Sequence, residues 1–249
     1  NYYIEGDFYM TFNNNSKHVF PGSNTPFGFY PYYDNIISQE SANKIFIIKG
    51  GPGTGKSSFM KKVAGFFIDK NVEVEFHHCS ADPSSLDGIV IVPAKVAIID
   101  GTSPHVMDPL NPGAVDEILY FSPYWDEQGI RANKESIMAI NLVRKQLFNK
   151  AYYYLNAAKR VYDAYAQAQA MALNNIKLST IEQDVLKSIF ENCKPSNQLG
   201  KSRHLFGSAI TPDGFIDYLH TIIDKSQIIY TIKDSPGASA KNLMNNILS

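Results

Sequence analysis

A glycine-rich loop with the pattern G-x-x-x-x-G-K-[ST] occupies residues 50–57 and constrains the fold more than any other stretch of the chain. The short apolar, β-branched run at 44–49 before it predicts a buried strand. The run 58–67 after it has apolar residues at helical spacing, which predicts a helix. Strand, glycine loop and helix in this order predict an α/β fold in which a parallel sheet carries the loop.

This loop pattern is the P-loop, a phosphate-binding motif. Backbone N–H groups of a glycine loop can wrap a phosphate, and the following helix N-terminus adds a favourable dipole. We expect Lys56 to reach the β- and γ-phosphates of a nucleotide and the Ser57 hydroxyl to ligate Mg²⁺. A chance glycine-rich turn is the less favoured alternative, because both flanks agree with the motif. The expected nucleotide-binding residues are Gly51, Pro52, Gly53, Thr54, Gly55, Lys56, Ser57 and Ser58.

The run 95–100 predicts a second strand that ends in a carboxylate, the pattern called Walker B. A nucleotide hydrolase needs such a carboxylate on a neighbouring strand to hold the metal. We therefore expect Asp100 to act with Ser57 in holding Mg²⁺, and Lys56 and Asp100 to be catalytic. Gly101 follows at the position where many ATPases have a glutamate. The hydrolytic base must then come from elsewhere in the chain.

The turn after Asp100 is the first candidate source of a water-positioning group. Thr102, Ser103 or His105 could lie near a γ-phosphate, and His105 is the residue taken as catalytic. Ordinary capping of the loop is the alternative. A polar segment with Ser80, Asp82, Ser84 and Asp87 could also touch substrate or Mg²⁺, or could be a solvated loop.

Residues 72–79 alternate in polarity and predict another strand, which ends in His77, His78 and Cys79. A zinc site there is conceivable. Adjacent residues of a strand point to opposite faces, however, and no second ligand pair has metal spacing. The favoured interpretation is that one histidine faces the site and the other two residues pack.

The chain repeats itself. The segment around His18, Phe20 and Thr25-Pro26 recurs around His204, Phe206 and Thr211-Pro212, and both Thr-Pro pairs predict helix N-caps. With a shift of two residues, the glycine loop recurs at 234–241 as a degenerate copy. In that copy Ser239 and Ala240 stand where the first loop has Gly55 and Lys56. The second loop is therefore predicted not to bind nucleotide productively.

Residues 133–173 predict one long helix, because small and apolar residues recur at alternating spacings of three and four. Asn174-Asn175 breaks it, and Ser179 to Glu182 resembles a capping box that begins a second helix through Phe190. The expected result is a helical hairpin. Its seam could pack on its own return helix or form a partner or dimer surface. The seam residues are Ile140, Val143, Leu147, Ala151, Tyr154, Ala158, Val161, Tyr165, Ala168 and Ala172.

These patterns predict three consecutive segments. Residues 1–130 form a nucleotide-binding core with an N-terminal helix, 131–198 an inserted helical hairpin, and 199–249 a partial second repeat. The net charge of −1 gives no indication of nucleic-acid or anionic-membrane binding. Two cysteines, the lack of an apolar run of membrane-spanning length and the lack of a visible signal peptide favour a cytoplasmic protein.

The sequence resembles an uncharacterised bacterial family of tandem P-loop ATPases. The resemblance rests on 47–58, on His78-Cys79-Ser80 with Leu86-Asp87-Gly88, on 98–105, on 108–109, on 112–117 and on 208–212. It implies a P-loop fold and ATP as the nucleotide, but no substrate. Where the sequence departs from the family, at 234–241, a second working site is in doubt.

The expected function is Mg²⁺-dependent ATP binding with slow hydrolysis, coupled to an unknown partner. One alternative is a small-molecule kinase in which Asp82 or Asp100 orients an acceptor hydroxyl. Scattered arginines give no sign of the arginine-rich lid that a kinase would favour. The other alternative is a non-catalytic nucleotide-sensing scaffold that docks through the helical hairpin.

Overall fold

The structure is a computed structural model that describes residues 16–103, 106–191, 202–223, 229–238 and 240–248. The strands are β1 (Lys17–Val19), β2 (Gly22–Thr25), β3 (Gly28–Pro31), β4 (Lys44–Lys49), β5 (Val74–His78), β6 (Leu86–Ile91), β7 (Val96–Asp100), β8 (Asp116–Tyr120), β9 (Ser208–Thr211) and β10 (Gly214–Asp217). The helices are α1 (Lys56–Ile68), α2 (Glu127–Ala132), α3 (Lys134–Met171), α4 (Asn175–Phe190), α5 (Leu219–Ile222) and α6 (Ala240–Leu248). Short 3₁₀ turns occupy Tyr33–Asn35 and Ser122–Tyr124.

Six strands form one central sheet in the order β1-β5-β6-β7-β4-β8. Strand β4 pairs in parallel with β7 and β8, and β1 pairs in parallel with β5. Strand β6 is antiparallel to both of its neighbours, β5 and β7. The protein is therefore an α/β protein with a mixed, mostly parallel sheet, which confirms the predicted fold class at this level.

An apolar cluster covers each face of the sheet, and the side chains of β4 contribute to both clusters. Ile48 packs with Met60 and Ala64 of α1 on one face. Ile45 and Ile47 pack on the other face in a cluster with the side chain of Tyr33, at the 3₁₀ turn. Burial on both faces explains why β4 is a nearly continuous apolar run. It also fixes the carboxyl end of β4, from which the glycine-rich loop emerges.

The two Thr-Pro segments form β-hairpins, and the prediction that they cap helices is wrong. Thr25 ends β2, and its Oγ1 accepts a hydrogen bond from the Phe27 N–H at 3.1 Å. Thr211 makes the same bond to the Asp213 N–H at 3.2 Å. Within residues 16–43 the helical structure is a single 3₁₀ turn, so the expected N-terminal helix is absent from that part of the core.

The two hairpin regions meet about a local two-fold axis. Phe20 and Phe206 exchange both backbone hydrogen bonds, at 2.8 and 3.0 Å. Asn24 Nδ2 donates to the carbonyl of Ile210, the residue 186 positions later. When a residue pairs with its own counterpart, the interface is isologous, as in a symmetric dimer.

Flanking contacts repeat across this axis as well. The His18 N–H donates to Thr221 Oγ1 at 2.9 Å, and the His204 N–H donates to Asn35 Oδ1 at 3.0 Å. The ring of Tyr218 lies 5.3 Å from that of Phe20, and the ring of Tyr32 lies 5.2 Å from that of Phe206. The repeated sequence segment therefore builds a repeated set of contacts.

Residue contacts divide the chain into two units, Asn1–Tyr152 with Arg203–Gln227, and Tyr153–Ser202 with Ile228–Ser249. The first unit holds the central sheet and the paired hairpins. The second holds most of α3, together with α4 and α6. Both units are discontinuous in sequence. None of the helices in the described residues is long and apolar enough to cross a lipid bilayer.

Helix α4 begins earlier than its predicted capping box. Asn174 is the N-cap, and its side-chain oxygen accepts a hydrogen bond from the Lys177 N–H at 3.1 Å. Ser179 and Glu182 consequently lie inside the helix. Asparagine is a strong N-cap residue because its carbonyl oxygen satisfies a first-turn N–H group. Helix α3 ends at Met171, and the Asn174-Asn175 pair, which the sequence predicts as a break, starts the second helix.

Helix α3 spans 38 residues, none of them buried in the described part of the chain. Leu147, Tyr154 and Val161 of the seam are 61%, 67% and 72% exposed, respectively. The expectation that this seam packs on its own return helix is therefore not what the structure shows. The apolar stripe remains available as a contact surface.

Three buried histidines lie at the end of β5: His77 and His78 are its last residues, and His18 is on the neighbouring strand β1. His18 Nδ1 lies 2.8 Å from His78 Nε2, and the His18 ring stacks on Phe76 at 4.8 Å. His77 Nε2 lies 2.8 Å from Glu75 Oε1, and Arg203 donates to the same carboxylate. Burial, followed by the charge of a neighbouring histidine, lowers the pKa of His18 to about 4 and that of His78 to about 3.

We expect the free energy of unfolding to fall as the pH falls below about 6.5. The unfolded chain then binds protons that His18 and His78 cannot bind in the folded state, an effect of the order of 3 kcal/mol for each histidine at the acid limit. Below about pH 6, protonation of Asp87 raises the free energy of unfolding, because its pKa is raised in the folded state. Asp87 is one group against two histidines, so the net effect is still a loss of stability. Urea unfolding at pH 7.5, 6 and 5 measures the slope.

The control for this prediction is the exposed counterpart of His18 in the second hairpin. The substitution His18→Phe should flatten the pH dependence, since phenylalanine can keep the ring contact and does not titrate. The substitution His204→Phe should leave the slope unchanged. A free energy of unfolding that is constant from pH 7.5 to 5 would contradict the prediction.

Candidate functional site

The glycine-rich loop joins the carboxyl end of β4 to the start of α1. Gly53 and Gly55 have φ angles of +77° and +83°, and a side chain rarely adopts such a backbone. Gly55 is the N-cap of α1, with no side chain to satisfy the first N–H groups of the helix. The loop therefore presents backbone N–H groups and a helix dipole, the two features that bind an anion.

The amine of Lys56 lies at the centre of the loop. Its Nζ donates to the carbonyls of Gly50 and Gly51 at 2.7 and 2.8 Å, and it lies 3.5 Å from Asp100 Oδ2. The side chain is 10% exposed, so the charge is shielded from bulk water. Two predicted catalytic residues that are far apart in sequence are therefore neighbours in space.

Sheet pairing explains why Asp100 reaches the loop. Strand β7 lies beside β4, and Asp100 is in register with Ile48, the penultimate residue of β4. Asp100 Oδ1 accepts a hydrogen bond from the Thr102 N–H at 2.9 Å. The Gly50 N–H in turn donates to Thr102 Oγ1 at 3.3 Å. Thr102 thus links the carboxylate to the first residue of the loop.

Ser57 lies in the first turn of α1, and its Oγ accepts a hydrogen bond from the Leu86 N–H at 3.0 Å. Thr54 Oγ1 donates to the Gly51 carbonyl at 2.8 Å and so braces the loop. Pro52 and Ser58 are exposed at the rim. The hydroxyl of Ser57 therefore ties the start of α1 to the first residue of β6.

The donor set suits a magnesium nucleotide. Mg²⁺ prefers oxygen ligands and is commonly held by one or two protein groups together with phosphate oxygens. Ser57 supplies a hydroxyl, Asp100 a carboxylate, and Lys56 a cation for phosphate. Apart from the adjacent residues of the chain, no atom of the described residues lies within 4 Å of a Cβ built at Gly53 or Gly55, so these positions of the loop are open.

His105 lies outside the described residues, as does Pro104. Of the three candidates in this turn, Thr102 is the one that the structure brings to the loop. His77, His78 and Cys79 diverge to different partners, and within the described ranges no cluster of His, Cys, Asp or Glu could hold a metal ion. The zinc alternative therefore receives no support.

A second carboxylate lies at this edge of the sheet. Asp87, at the start of β6, is 6% exposed, and its Oδ2 accepts a hydrogen bond from the Tyr33 hydroxyl at 2.6 Å. The sequence pattern placed Asp87 in a polar loop. The apolar run of 89–91, which follows Gly88, is the signal that could have placed Asp87 in a strand rather than in a loop.

The degenerate loop near the C-terminus keeps part of the local geometry of the first loop. Gly237 has a φ angle of +89°, as Gly53 has +77°, and α6 begins at Ala240, the position aligned with Lys56. Asp234 Oδ2, however, accepts a hydrogen bond from the Ala240 N–H at 2.9 Å. A carboxylate at the helix N-terminus repels a phosphate, which would need the same N–H groups. Ser239 lies outside the described residues.

The second unit also contains a cavity of about 790 Å³ beside this degenerate loop. Its lining includes Asp234, Lys241 and Glu182, so two of its three charged groups are acidic. The chemistry described above for Lys56 and Asp100 belongs to the other unit. Cavity size alone therefore does not identify the nucleotide site.

Comparisons with protein-family models, with curated proteins and with solved structures find no match for this chain. The functional assignment consequently rests on the loop, the neighbouring carboxylates and their geometry.

Proposed function

We propose that the protein binds Mg-ATP at the loop of residues 50–57 and hydrolyses it slowly. The observation that carries this proposal is the convergence of Lys56 and Asp100, whose charged atoms lie 3.5 Å apart at the end of β4. A structural ion pair could occur anywhere in the molecule. This one lies at a loop with two left-handed glycines and at a helix N-terminus, where phosphate binds.

Each residue has a distinct task in this proposal. The loop N–H groups and Lys56 bind the phosphates, and Ser57 and Asp100 hold Mg²⁺. The metal supplies charge stabilisation for the transferring phosphoryl group. Thr102 orients Asp100 through its backbone N–H. On this view the loop is a P-loop, the chain belongs to the resembling family of tandem P-loop ATPases, and it acts in the cytoplasm.

The partner that hydrolysis would serve is proposed to contact α3. Leu147, Tyr154 and Val161 are largely exposed along this helix. An exposed apolar stripe of this length is typical of an interaction surface. The contact would be with an unidentified protein or with a second copy of the chain.

The test is incubation of the protein with Mg-ATP, with phosphate release and phosphorylated products followed over time. We expect slow release of phosphate, well below the median enzyme rate of about 10 per second, because Gly101 replaces a glutamate base. A pool of metabolites added in parallel tests the kinase alternative. A phosphorylated metabolite with little free phosphate would favour the kinase, and binding without any product would favour the nucleotide-sensing scaffold.

A further inference from the structure

Aromatic side chains lie directly beside the glycine-rich loop, where β8 ends. The Phe121 N–H donates to the carbonyl of Lys49, the residue before the loop, at 3.1 Å. The Cβ of Phe121 is so close to Gly50 that a Cβ built on this glycine would lie 3.3 Å from it. The ring of Phe121 also meets the ring of Phe59, in the first turn of α1, with 5.5 Å between the centroids. Phe121 therefore contacts the chain just before and just after the loop.

Tyr124 extends this aromatic contact outward. The 3₁₀ turn Ser122–Tyr124 follows Phe121, and the Tyr124 N–H donates to the Phe121 carbonyl at 3.0 Å. Pro123 lies within this turn, and its ring restricts the backbone there. The rings of Phe121 and Tyr124 are nearly perpendicular, at 84°, with 6.5 Å between the centroids. Because Tyr124 is 86% exposed, a short and restricted turn holds a largely open aromatic ring near the loop.

The order of the strands indicates which part of a nucleotide would meet these rings. Strand β4 lies between β7 and β8, so Asp100, at the end of β7, and Phe121, after β8, are on opposite sides of β4. Phe121 packs on the face of the sheet that α1 covers, which is also the face of the loop. In the proposed function, Asp100 holds the metal that bridges the terminal phosphates. The base, at the other end of the nucleotide, then extends toward the side of β8.

An open aromatic ring in this position suits the flat face of a base. Every base has a π-face, so base–aromatic stacking contributes affinity whichever base is bound. Single exposed aromatic residues are normal on protein surfaces, and exposure alone would indicate nothing about Tyr124. What distinguishes Tyr124 is the chain of contacts from Gly50 through Phe121 to its own ring.

We propose that Tyr124, positioned by Phe121, stacks on the base of the bound nucleotide, an assignment that rests on the proposed function. The ligand class is a purine nucleoside triphosphate, because the two fused rings of a purine cover more of the tyrosine face than one pyrimidine ring does. The loop and Lys56 bind the phosphates, and Tyr124 adds affinity for the base. Stacking does not choose between adenine and guanine, since both present the same fused rings.

The test compares Mg-ATP with Mg-tripolyphosphate, which has three phosphates and no base. In calorimetric titrations, Tyr124→Ala should raise the Kd for Mg-ATP about tenfold, as expected for the loss of one base–aromatic stack. The Kd for Mg-tripolyphosphate should stay within about twofold of that of the unsubstituted protein. The conservative variant Tyr124→Phe keeps the ring and should bind Mg-ATP as tightly as the unsubstituted protein does. Mg-CTP, with a single ring in its base, should lose less affinity in Tyr124→Ala than Mg-ATP loses.

The matched control is Tyr120→Ala, at the exposed tyrosine that ends β8. Leu119 and Phe121, on either side of Tyr120, both pack on the face that α1 covers. Since successive residues of a strand point to opposite faces, the ring of Tyr120 lies on the other face of the sheet. Tyr120→Ala should therefore change neither Kd.

An unchanged Kd of Tyr124→Ala for Mg-ATP would overturn the stacking role and leave the proposed function intact. Equal weakening of Mg-ATP and Mg-tripolyphosphate would also overturn it, because the substitution would then have disturbed the phosphate loop. An equal loss for Mg-CTP and Mg-ATP would overturn the assignment to purines. Failure of the unsubstituted protein to bind either Mg-ATP or Mg-tripolyphosphate would overturn the proposed function itself.

Discussion

Replacement of Lys56 by alanine is expected to weaken the binding of Mg-ATP at least about tenfold. The amine lies at the centre of the loop, 2.7 and 2.8 Å from two loop carbonyls. In the complex it would instead contact phosphate, a charge-assisted interaction worth roughly 1.5–3 kcal/mol. Since about 1.4 kcal/mol corresponds to a factor of ten in affinity, the loss should be visible in a calorimetric titration.

The same titration counts the sites. We expect one nucleotide per chain, because Asp234 occupies the helix N–H group that a second phosphate would need. The matched control is Lys241→Ala in the degenerate loop, which should change neither the affinity nor the stoichiometry. An unchanged affinity of Lys56→Ala for Mg-ATP would contradict the proposal that this loop is a P-loop. Two nucleotides per chain, with one lost on altering 237–241, would show that the second loop still binds.

Replacement of Asp100 by asparagine is expected to abolish Mg²⁺-dependent turnover, with a loss of at least about a hundredfold. A bound Mg²⁺ would contribute several kcal/mol of transition-state stabilisation, and a neutral amide would hold it less well than a carboxylate. Asparagine can still accept the Thr102 N–H bond that Asp100 accepts at 2.9 Å, so the turn should keep its geometry. Nucleotide binding measured without Mg²⁺ should therefore persist.

The control for this experiment is Asp108→Asn, at a carboxylate whose side chain is 76% exposed and which pairs with Lys49. Its turnover should match that of the unsubstituted protein. Rapid phosphate release by Asp100→Asn, at the same Mg²⁺ requirement, would show that the catalytic metal is held elsewhere. The role proposed for the end of β7 would then be abandoned.

Local patterns predicted the elements around the site well. The apolar run before the loop corresponds to β4 from Lys44 to Lys49, and the run ending in Asp100 corresponds to β7. The middle of each strand is packed on two faces, so residues 45–48 and 96–99 are continuous apolar runs that are easy to recognise. The pairing of β7 with β4 depends on long-range packing. It cannot be predicted from either apolar run alone.

The Thr-Pro segments show how one local bond can serve two structures. Thr25 Oγ1 accepts from the N–H two residues later, as an N-cap threonine does at a helix start. Gly28, with a φ of +105°, then turns the chain back into β3. The hydroxyl bond is local and visible in the sequence, whereas the strand pairing that decides between helix and hairpin is not.

The sequence names Asp87 only as one of four polar residues in a predicted loop, and its buried position could not be predicted for a similar reason. A carboxylate in a polar stretch is typical of a loop, and nothing nearby in sequence indicates that Tyr33 will hold it. The bulge that moves Asp87 off the ladder is a property of the pairing between β5 and β6. The contact between Asp87 and the Tyr33 hydroxyl forms only when the strands and the Tyr33 turn are assembled.

The reciprocal contact between Phe20 and Phe206 has a consequence for the solution behaviour of the hairpin pair. If the two hairpins belonged to separate molecules, their association would pay translational and rotational entropy and would be lost on dilution. On one polypeptide each hairpin meets the other at an effective concentration set by the tether. The sheet edge formed by β1, where the His18 N–H donates to Thr221 Oγ1, therefore keeps its covering at any protein concentration.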